Sequence, residues 1–132
     1  MLKLLDLFFI IFHTTLVFFN LFGWIFRKTR FLNLITLTLT GGSWFILGIF
    51  YGIGYCPFTD WHFSVLEKMG EKNLPVSYVE YIVERLLPVN VNSRTVDIFT
   101  VVLFLAAFVI SVVWNIMDRF YFRKKKEIGY NE

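Results

Sequence analysis

Cysteine, proline and charge are all scarce in this chain. Cys56 is the only cysteine among 132 residues, which excludes a small secreted domain held together by disulfides. Charged residues make up 17% and hydrophobic residues 57%, with a mean hydropathy of +0.63. This balance excludes intrinsic disorder, and a soluble domain of this size cannot bury so much apolar surface. We therefore predict a small polytopic membrane protein, all-α, with one domain over residues 1–132.

Three long apolar runs are present, at residues 4–26, 31–54 and 96–117. A bilayer core of about 30 Å needs about 20 residues of helix. Each run is predicted to span the membrane as a helix, because lipid offers no partners to backbone polar groups and three segments cannot close a barrel. Residues 55–95 are predicted to form a polar loop, and residues 118–132 a basic tail.

Basic residues are concentrated on one side of these spans. Three of them lie between the first two spans, and five follow the third: Arg27, Lys28 and Arg30, then Arg119, Arg123, Lys124, Lys125 and Lys126. The positive-inside rule places both groups in the cytoplasm, with the N-terminus outside and the loop in the periplasm. The net charge of +3 is therefore an orientation signal and does not indicate nucleic acid binding. The tail also suits contact with anionic lipid.

The first span is predicted to be retained rather than cleaved as a signal peptide. It is longer than the apolar core of such a peptide, and no A-x-A-like cleavage site follows it.

The loop is predicted to contain two short amphipathic helices. The first begins at Thr59 or Asp60, either of which can cap it, and ends near Met69. The second begins after Ser77 and ends near Leu87. Because each helix has one apolar face, we expect both to lie across the outer mouth of the bundle or in the membrane interface.

Each span carries one polar stripe. At 100° per residue, the following residues share a face: Asp6, His13 and Asn20 in the first span; Asn33, Thr36, Thr40 and Ser43 in the second; Asp97, Thr100, Ala107, Ser111, Asn115 and Asp118 in the third. Polar side chains inside a membrane face protein rather than lipid. The stripes are therefore expected to meet along an inward seam, with phenylalanines facing the lipid.

The expected depth of each polar residue in the membrane predicts which residues meet within this seam. His13 and Ser43 are expected at the same level near the middle of the membrane, and Asp6 and Asp97 at the outer mouth. Asn20 is expected to approach Thr36, Thr40 and Asn115. The seven-residue spacing separates the polar residues of the first span by about 10.5 Å, so they cannot bond to one another.

His13 has two interpretations. Imidazole titrates near neutral pH and marks proton and ligand pathways in membranes. His13 is therefore a candidate proton relay or ligand contact, with Asp6, Asn20, Ser43 and Asp97 as its companions. Alternatively, a neutral His13 bonds to Ser43 or to a backbone carbonyl and holds the bundle together.

A second face of the second span carries Gly41, Gly48 and Gly52. The spacing of Gly48 and Gly52 allows close approach of two helices. The partner is either a helix of the same chain or a second protomer.

A second group of candidates lies at the outer mouth: Cys56, Thr59, Asp60, Trp61 and His62. Cysteine, histidine and carboxylate side chains can ligate a transition metal. The paired spacing of metal-binding motifs is missing, so no metal and no cofactor is predicted. Thr59 and Asp60 are alternatively helix caps.

The segment Gly54–His62, then Gly70 and the stretch Tyr78–Pro88 resemble small bacterial membrane proteins catalogued as domain of unknown function 2784. That pattern has a Cys-Pro-Leu-Thr element closing a span, a glycine-containing turn and a Tyr/Leu-rich helix ending in proline. Phe58 stands where leucine is usual, and His13 also resembles a recurring feature of the family. The resemblance covers roughly residues 2–120. It implies this architecture and the bacterial inner membrane, but no activity.

Two functions are consistent with these patterns. The first is a non-enzymatic inner-membrane component that assembles with itself or with a larger complex through its glycine face or polar seam. The second is a protein that binds a small molecule or lipid, as a transporter or enzyme, through His13 and the mouth formed by Cys56–His62. Size favours the first, because three helices leave little interior volume for a pocket of about 300 Å³ or more.

Overall fold

The computed structural model describes residues 1–130, which contain six α-helices and no strand. The helices are α1 (Leu2–Phe22), α2 (Arg30–Gly42), α3 (Gly48–Tyr51), α4 (Pro57–Lys68), α5 (Tyr78–Leu86) and α6 (Ser93–Tyr130). A π-helical segment, Ser43–Leu47, joins α2 to α3. Three predicted spans are confirmed, since Leu2–Phe22, Arg30–Tyr51 and Ser93–Tyr130 are each long and apolar enough to cross a membrane.

The first span ends at Phe22 rather than at residue 26, because Gly23 begins a tight turn. The Gly23 N–H donates to the Phe19 carbonyl at 2.8 Å, and Thr29 Oγ1 donates to the Gly23 carbonyl at 2.7 Å. A Cβ atom on Gly23 would lie 2.6 Å from the Phe19 oxygen and 2.9 Å from Asn33 Nδ2. Only glycine therefore fits where α1 and α2 approach each other.

The second span ends before Gly52 rather than at Gly54, and the chain then turns back along it. Gly52 has a φ of 107°, which reverses the chain at the end of α3. The Gly54 N–H donates to the Trp44 carbonyl at 3.3 Å, and Ser43 Oγ donates to the Tyr55 carbonyl at 2.8 Å. The loop therefore starts at the level of Ser43, inside the end of the bundle, and not above it.

The two short helices of the loop are present, and they pack alongside the spans. α4 begins at Pro57, and its N-cap Cys56 lies three residues before Thr59 and four before Asp60. The prediction that Thr59 or Asp60 caps it is wrong, because proline at the first helical position needs no N–H partner and Cys56 occupies the N-cap. α4 packs on α1 and α5 packs on α6. The pair therefore lies against the flank of the bundle and not only across its mouth.

α6 is far longer than the predicted span. Its 38 residues correspond to about 57 Å, nearly twice the thickness of a hydrocarbon core. The segment predicted as a basic tail is helical as far as Tyr130, and residues 131–132 lie outside the described residues. Every residue from Arg119 to Tyr130 is exposed. This end of α6 thus projects beyond the other helices.

The inward seam is confirmed for twelve of the thirteen residues of the predicted stripes, which are buried or half-buried, whereas Asp97 is exposed. The prediction that phenylalanines face the lipid is wrong for Phe104, which is buried. The buried residues of the spans are Asp6, His13 and Asn20 in α1, Asn33 and Leu37 in α2, and Phe104, Ala107 and Ser111 in α6. Leu37, Phe104 and Ala107 form the apolar part of this core. The polar residues lie on the same inward faces, so the bundle is held by apolar packing and polar contacts together.

The glycines of the second span have three different roles. A Cβ atom on Gly41 would lie 3.3 Å from the Phe104 ring, so Gly41 lets α2 and α6 approach closely. Gly48 is buried against the returning chain, where a Cβ would lie 3.0 Å from Ile53 Cα. Gly52 forms the turn. The prediction that Gly48 and Gly52 make a helix-packing pair is therefore wrong.

Replacing Gly41 by leucine is expected to destabilise the bundle, because the side chain would be forced against Phe104. Overpacking of this kind costs about 1–3 kcal/mol. Gly42→Leu is the matched control, since a Cβ there meets only Ile46 Cδ1 at 3.9 Å. Thermal unfolding in detergent should give a lower midpoint for Gly41→Leu than for Gly42→Leu. Equal midpoints would contradict the close α2–α6 contact.

Candidate functional site

Asp6 of α1 holds both short helices against the bundle. His62 Nε2 of α4 lies 2.8 Å from Asp6 Oδ1. Arg85 of α5 donates from Nη1 to Oδ1 and from Nη2 to Oδ2, each at 3.0 Å. Arg85 Nη1 also donates to the Tyr81 hydroxyl. Asp6, His62, Arg85 and Tyr81 are called the carboxylate clamp below.

The clamp is buried at its centre and open at its rim. The side chain of His62 is fully buried, that of Asp6 is 9% exposed and that of Arg85 is 40% exposed. Both carboxylate oxygens have partners, as a buried charge requires. Such a pair adds little net stability, but removing one partner leaves the other uncompensated. The clamp therefore determines where α4 and α5 sit.

Arg85 and Tyr81 have altered acid–base properties in this setting. The hydrogen bond to Asp6 holds the pKa of the Arg85 guanidinium above its usual value. Burial raises the pKa of the Tyr81 phenol, although the hydrogen bond from Arg85 opposes that effect. The clamp thus combines a permanently charged guanidinium with a neutral phenol at physiological pH.

His13 lies two helical turns deeper along α1 than the clamp. Its ring stacks on that of Tyr78, with ring centroids 3.8 Å apart, and its Nε2 is 3.9 Å from Cys56 Sγ. The Tyr78 hydroxyl lies 2.9 Å from Thr14 Oγ1 and 3.3 Å from the Ile10 carbonyl. His13, Cys56 and Tyr78 are called the histidine cluster below.

The histidine cluster combines three ionisable groups in an apolar wall. Burial raises the pKa of the Tyr78 phenol, so this group stays neutral. His13 is 6% exposed, and its Nδ1 has no hydrogen-bond partner among residues 1–130. Cys56 is half-buried, and 3.9 Å is long for a hydrogen bond to its sulfur. The arrangement therefore places a buried imidazole beside a half-buried thiol.

The structure gives no support for a metal centre in the part of the chain that it describes. Over residues 1–130, no three histidine, cysteine, aspartate or glutamate side chains are grouped so that they could hold a metal ion. The histidine cluster has only two such ligands, and the clamp has one carboxylate and one histidine.

Two contacts expected along the seam are wrong. His13 does not meet Ser43, because the returning chain engages the Ser43 hydroxyl through the Tyr55 carbonyl. Asp6 does not meet Asp97, which is exposed. The common reason is that the loop folds back against the bundle, so that α4 and α5 supply the partners of His13 and Asp6.

Asn20 meets one of its three expected partners. Its Nδ2 donates to Thr40 Oγ1 at 3.0 Å, whereas Asn115 Nδ2 donates to the Arg30 and Ser111 carbonyls. Thr36 bonds within its own helix, to the Asn33 carbonyl at 3.0 Å. Asn33 Nδ2 in turn donates to the Asn20 carbonyl at 3.2 Å. These amides connect α1 to α2 and form no site of their own.

The five outer-mouth candidates do not form one cluster. Cys56 belongs to the histidine cluster and His62 to the carboxylate clamp. Asp60 and Trp61 are exposed, and Thr59 is half-buried. Consecutive residues of a helix point about 100° apart, so one turn of α4 distributes them over different surroundings.

Sequence reasoning missed three residues of the site: Tyr78, Tyr81 and Arg85 of α5. Their spacing of three and four places all of them on one helical face. Arg85 is the only basic residue in α5, and it directly follows Glu84. The signal in the sequence is a single arginine on the same helical face as two tyrosines. An arginine in that setting predicts a buried carboxylate as its partner.

A second ion pair closes the opposite end of the seam. Arg30 Nη1 donates to both carboxylate oxygens of Asp118 at 3.0 Å, and its guanidinium lies 4.3 Å from the centroid of the Trp114 ring. Arg27 Nε lies 3.5 Å from Asp118 Oδ1. Asn115 Nδ2 donates to the Arg30 carbonyl at 3.0 Å. This pair fixes α6 to the turn between α1 and α2.

A known protein family matches most of this chain. The family described as Protein of Unknown function (DUF2784) matches residues 3–116. The chain belongs to this family. The part shared with DUF2784 includes the carboxylate clamp and the histidine cluster, and it ends before Asp118 and the exposed end of α6. Comparisons with curated proteins and with solved structures give no match.

Replacing Asp6 by asparagine is expected to release α4 and α5 from α1, because Arg85 and His62 lose their charged partner. The cost of leaving such groups unsatisfied is about 1–3 kcal/mol. The Cys56 thiol, which α4 holds against His13, should then react faster with a membrane-impermeant maleimide. Asp97→Asn is the matched control, since Asp97 is exposed. Equal labelling rates in the two variants would contradict a clamping role for Asp6.

Proposed function

We propose that the protein is a non-enzymatic component of the bacterial inner membrane that assembles with itself or with a larger membrane complex. Three apolar spans support a membrane location. The two ion pairs of the seam, at Asp6 and at Asp118, link elements of this chain to one another. Their geometry favours a structural role for the buried polar residues, so the assembly surface lies elsewhere.

The observation that carries this proposal is the exposed end of α6. Its twelve residues from Arg119 to Tyr130 are all exposed, and they combine four consecutive basic residues with aromatic ones. Phe120 and Phe122 are 66% and 58% exposed. The Tyr121 ring lies 5.3 Å from the Arg27 guanidinium, but Phe120 and Phe122 stay largely exposed. Large exposed apolar groups beside positive charge are typical of interaction surfaces.

The orientation that we propose has the N-terminus outside and this end of α6 in the cytoplasm. Its support is that the turn with Arg27 and Arg30 and the start of the projecting helix meet at Asp118. All the basic residues of both groups therefore share one end of the bundle, which the positive-inside rule assigns to the cytoplasm. The loop with α4 and α5 then faces the periplasm.

Fluorescent and enzymatic reporters test the orientation. A green fluorescent protein fused to the C-terminus should be bright, and an alkaline phosphatase at the same site should be inactive, because the former needs the cytoplasm and the latter the periplasm. Insertion of the phosphatase after Val76, which is 96% exposed in the loop, should restore activity. The reverse pattern would contradict the orientation.

The double variant Phe120→Ser/Phe122→Ser tests the assembly role. It removes two exposed rings but keeps every positive charge, so the orientation signal is unchanged. Wild-type protein extracted in mild detergent should give a native mass above that of one chain, and the double variant should fall to the mass of one chain. Val76→Ser, an exposed apolar residue at the other end, should behave as wild type. Single-chain masses for all three proteins would contradict assembly.

The histidine cluster favours one second candidate function, namely binding of a small molecule or a proton at His13. Its support is the buried ring that lies beside the half-buried Cys56 thiol, with Nδ1 unpartnered within residues 1–130. The same native mass spectra distinguish this function from assembly. A small bound molecule that is lost in His13→Asn, with no second polypeptide, would favour the ligand-binding function.

A further inference from the structure

A narrow groove runs between α5 and α6 at the end of the bundle that carries the loop. Its volume is about 350 Å³. The walls are mainly apolar: Val79 and Val83 of α5, Val91, and Val96, Phe99 and Leu103 of α6. Asn92, Thr95 and Thr100 supply the polar groups of the lining. Neither the carboxylate clamp nor the histidine cluster uses this surface.

The free side-chain donors of the groove lie at one end. Thr100 Oγ1 donates to the Val96 carbonyl at 2.8 Å, so it offers no donor to the groove. Asn92 Oδ1 accepts from the Thr95 N–H at 3.2 Å, which leaves the Asn92 amide NH₂ to donate at the mouth. The groove is therefore polar where α6 begins and apolar further along.

This gradient coincides with the boundary of the membrane. The apolar run of α6 begins near residue 96, so Asn92 lies on the headgroup side and Leu103 lies in the hydrocarbon. Phe99 and Leu103 are 64% and 50% exposed, and in a bilayer they face acyl chains. The groove thus continues from the headgroup region into the apolar core.

The length and the polarity gradient of the groove favour a lipid as its occupant. From Asn92 to Leu103 the groove follows about 16 Å of helix. An extended alkyl chain can lie along this length in the apolar part, with its ester end at the polar mouth. We propose that this groove binds one acyl chain of a phospholipid, with the glycerol ester region at Asn92.

A bulky side chain placed in the groove should exclude the lipid, and this tests the proposed site. Wild-type protein is stripped of lipid and then incubated with phosphatidylethanolamine of one defined chain length, and adducts are counted by native mass spectrometry. Wild type should retain one lipid at collision energies that remove all others. Val83→Trp and Leu103→Trp, which fill the groove from opposite walls, should lose that lipid. Val109→Trp, at an exposed position of α6 outside the groove, should retain it.

Three results would overturn the assignment. The first is an equal lipid count in wild type and in both groove variants, with helical content unchanged by circular dichroism. The second is wild type that retains no lipid. The third would come from protein taken directly from membranes, without removal of lipid. If Val83→Trp displaced a bound polypeptide or a free fatty acid in that sample, the groove would bind that molecule and not a phospholipid.

Discussion

The structure depends on one constraint, which is that a carboxylate at the edge of the hydrocarbon must have both of its oxygens bound. Asp6 meets this requirement only because Arg85 and His62 reach it from two different helices. The Asp6 side chain is only 9% exposed, so water has little access to its carboxylate, and the position of α4 and α5 follows from the charge on α1. Asp118 imposes the same requirement at the other end, where Arg30 meets it.

These requirements explain which surfaces of the protein are left for contacts with other molecules. The polar side chains most suited to chemistry bind mainly to elements of the same chain, and the glycines of the second span contact that chain as well. Outward-facing surfaces remain for partners, namely the exposed end of α6 and the groove between α5 and α6. One is basic and aromatic and lies beyond the bundle, and the other is narrow and apolar. We propose a protein partner for the first surface and a lipid for the second.

Helical periodicity predicts the three spans and most of their inward faces, because burial repeats with the geometry of a helix. Asp6, His13 and Asn20 are the clearest case, since their seven-residue spacing predicted the buried residues of α1. Their partners depend instead on how the loop folds, and nothing local to α1 encodes that. Gly52 reverses the chain toward the bundle, so Arg85 rather than Asp97 reaches Asp6. The same reversal separates His13 from Ser43. It also places two of the outer-mouth candidates in different clusters, Cys56 beside His13 and His62 beside Asp6.

A double-mutant cycle on Asp6 and His62 tests the central claim most directly. The unfolding free energies of wild type, Asp6→Asn, His62→Gln and the double variant would be measured in the same detergent. Residues in direct contact show coupling of about 0.5–3 kcal/mol, and distant residues show additivity. We expect coupling in that range, because the two side chains meet at 2.8 Å in a buried site. Additive effects would contradict a structure in which this pair anchors the loop to the spans.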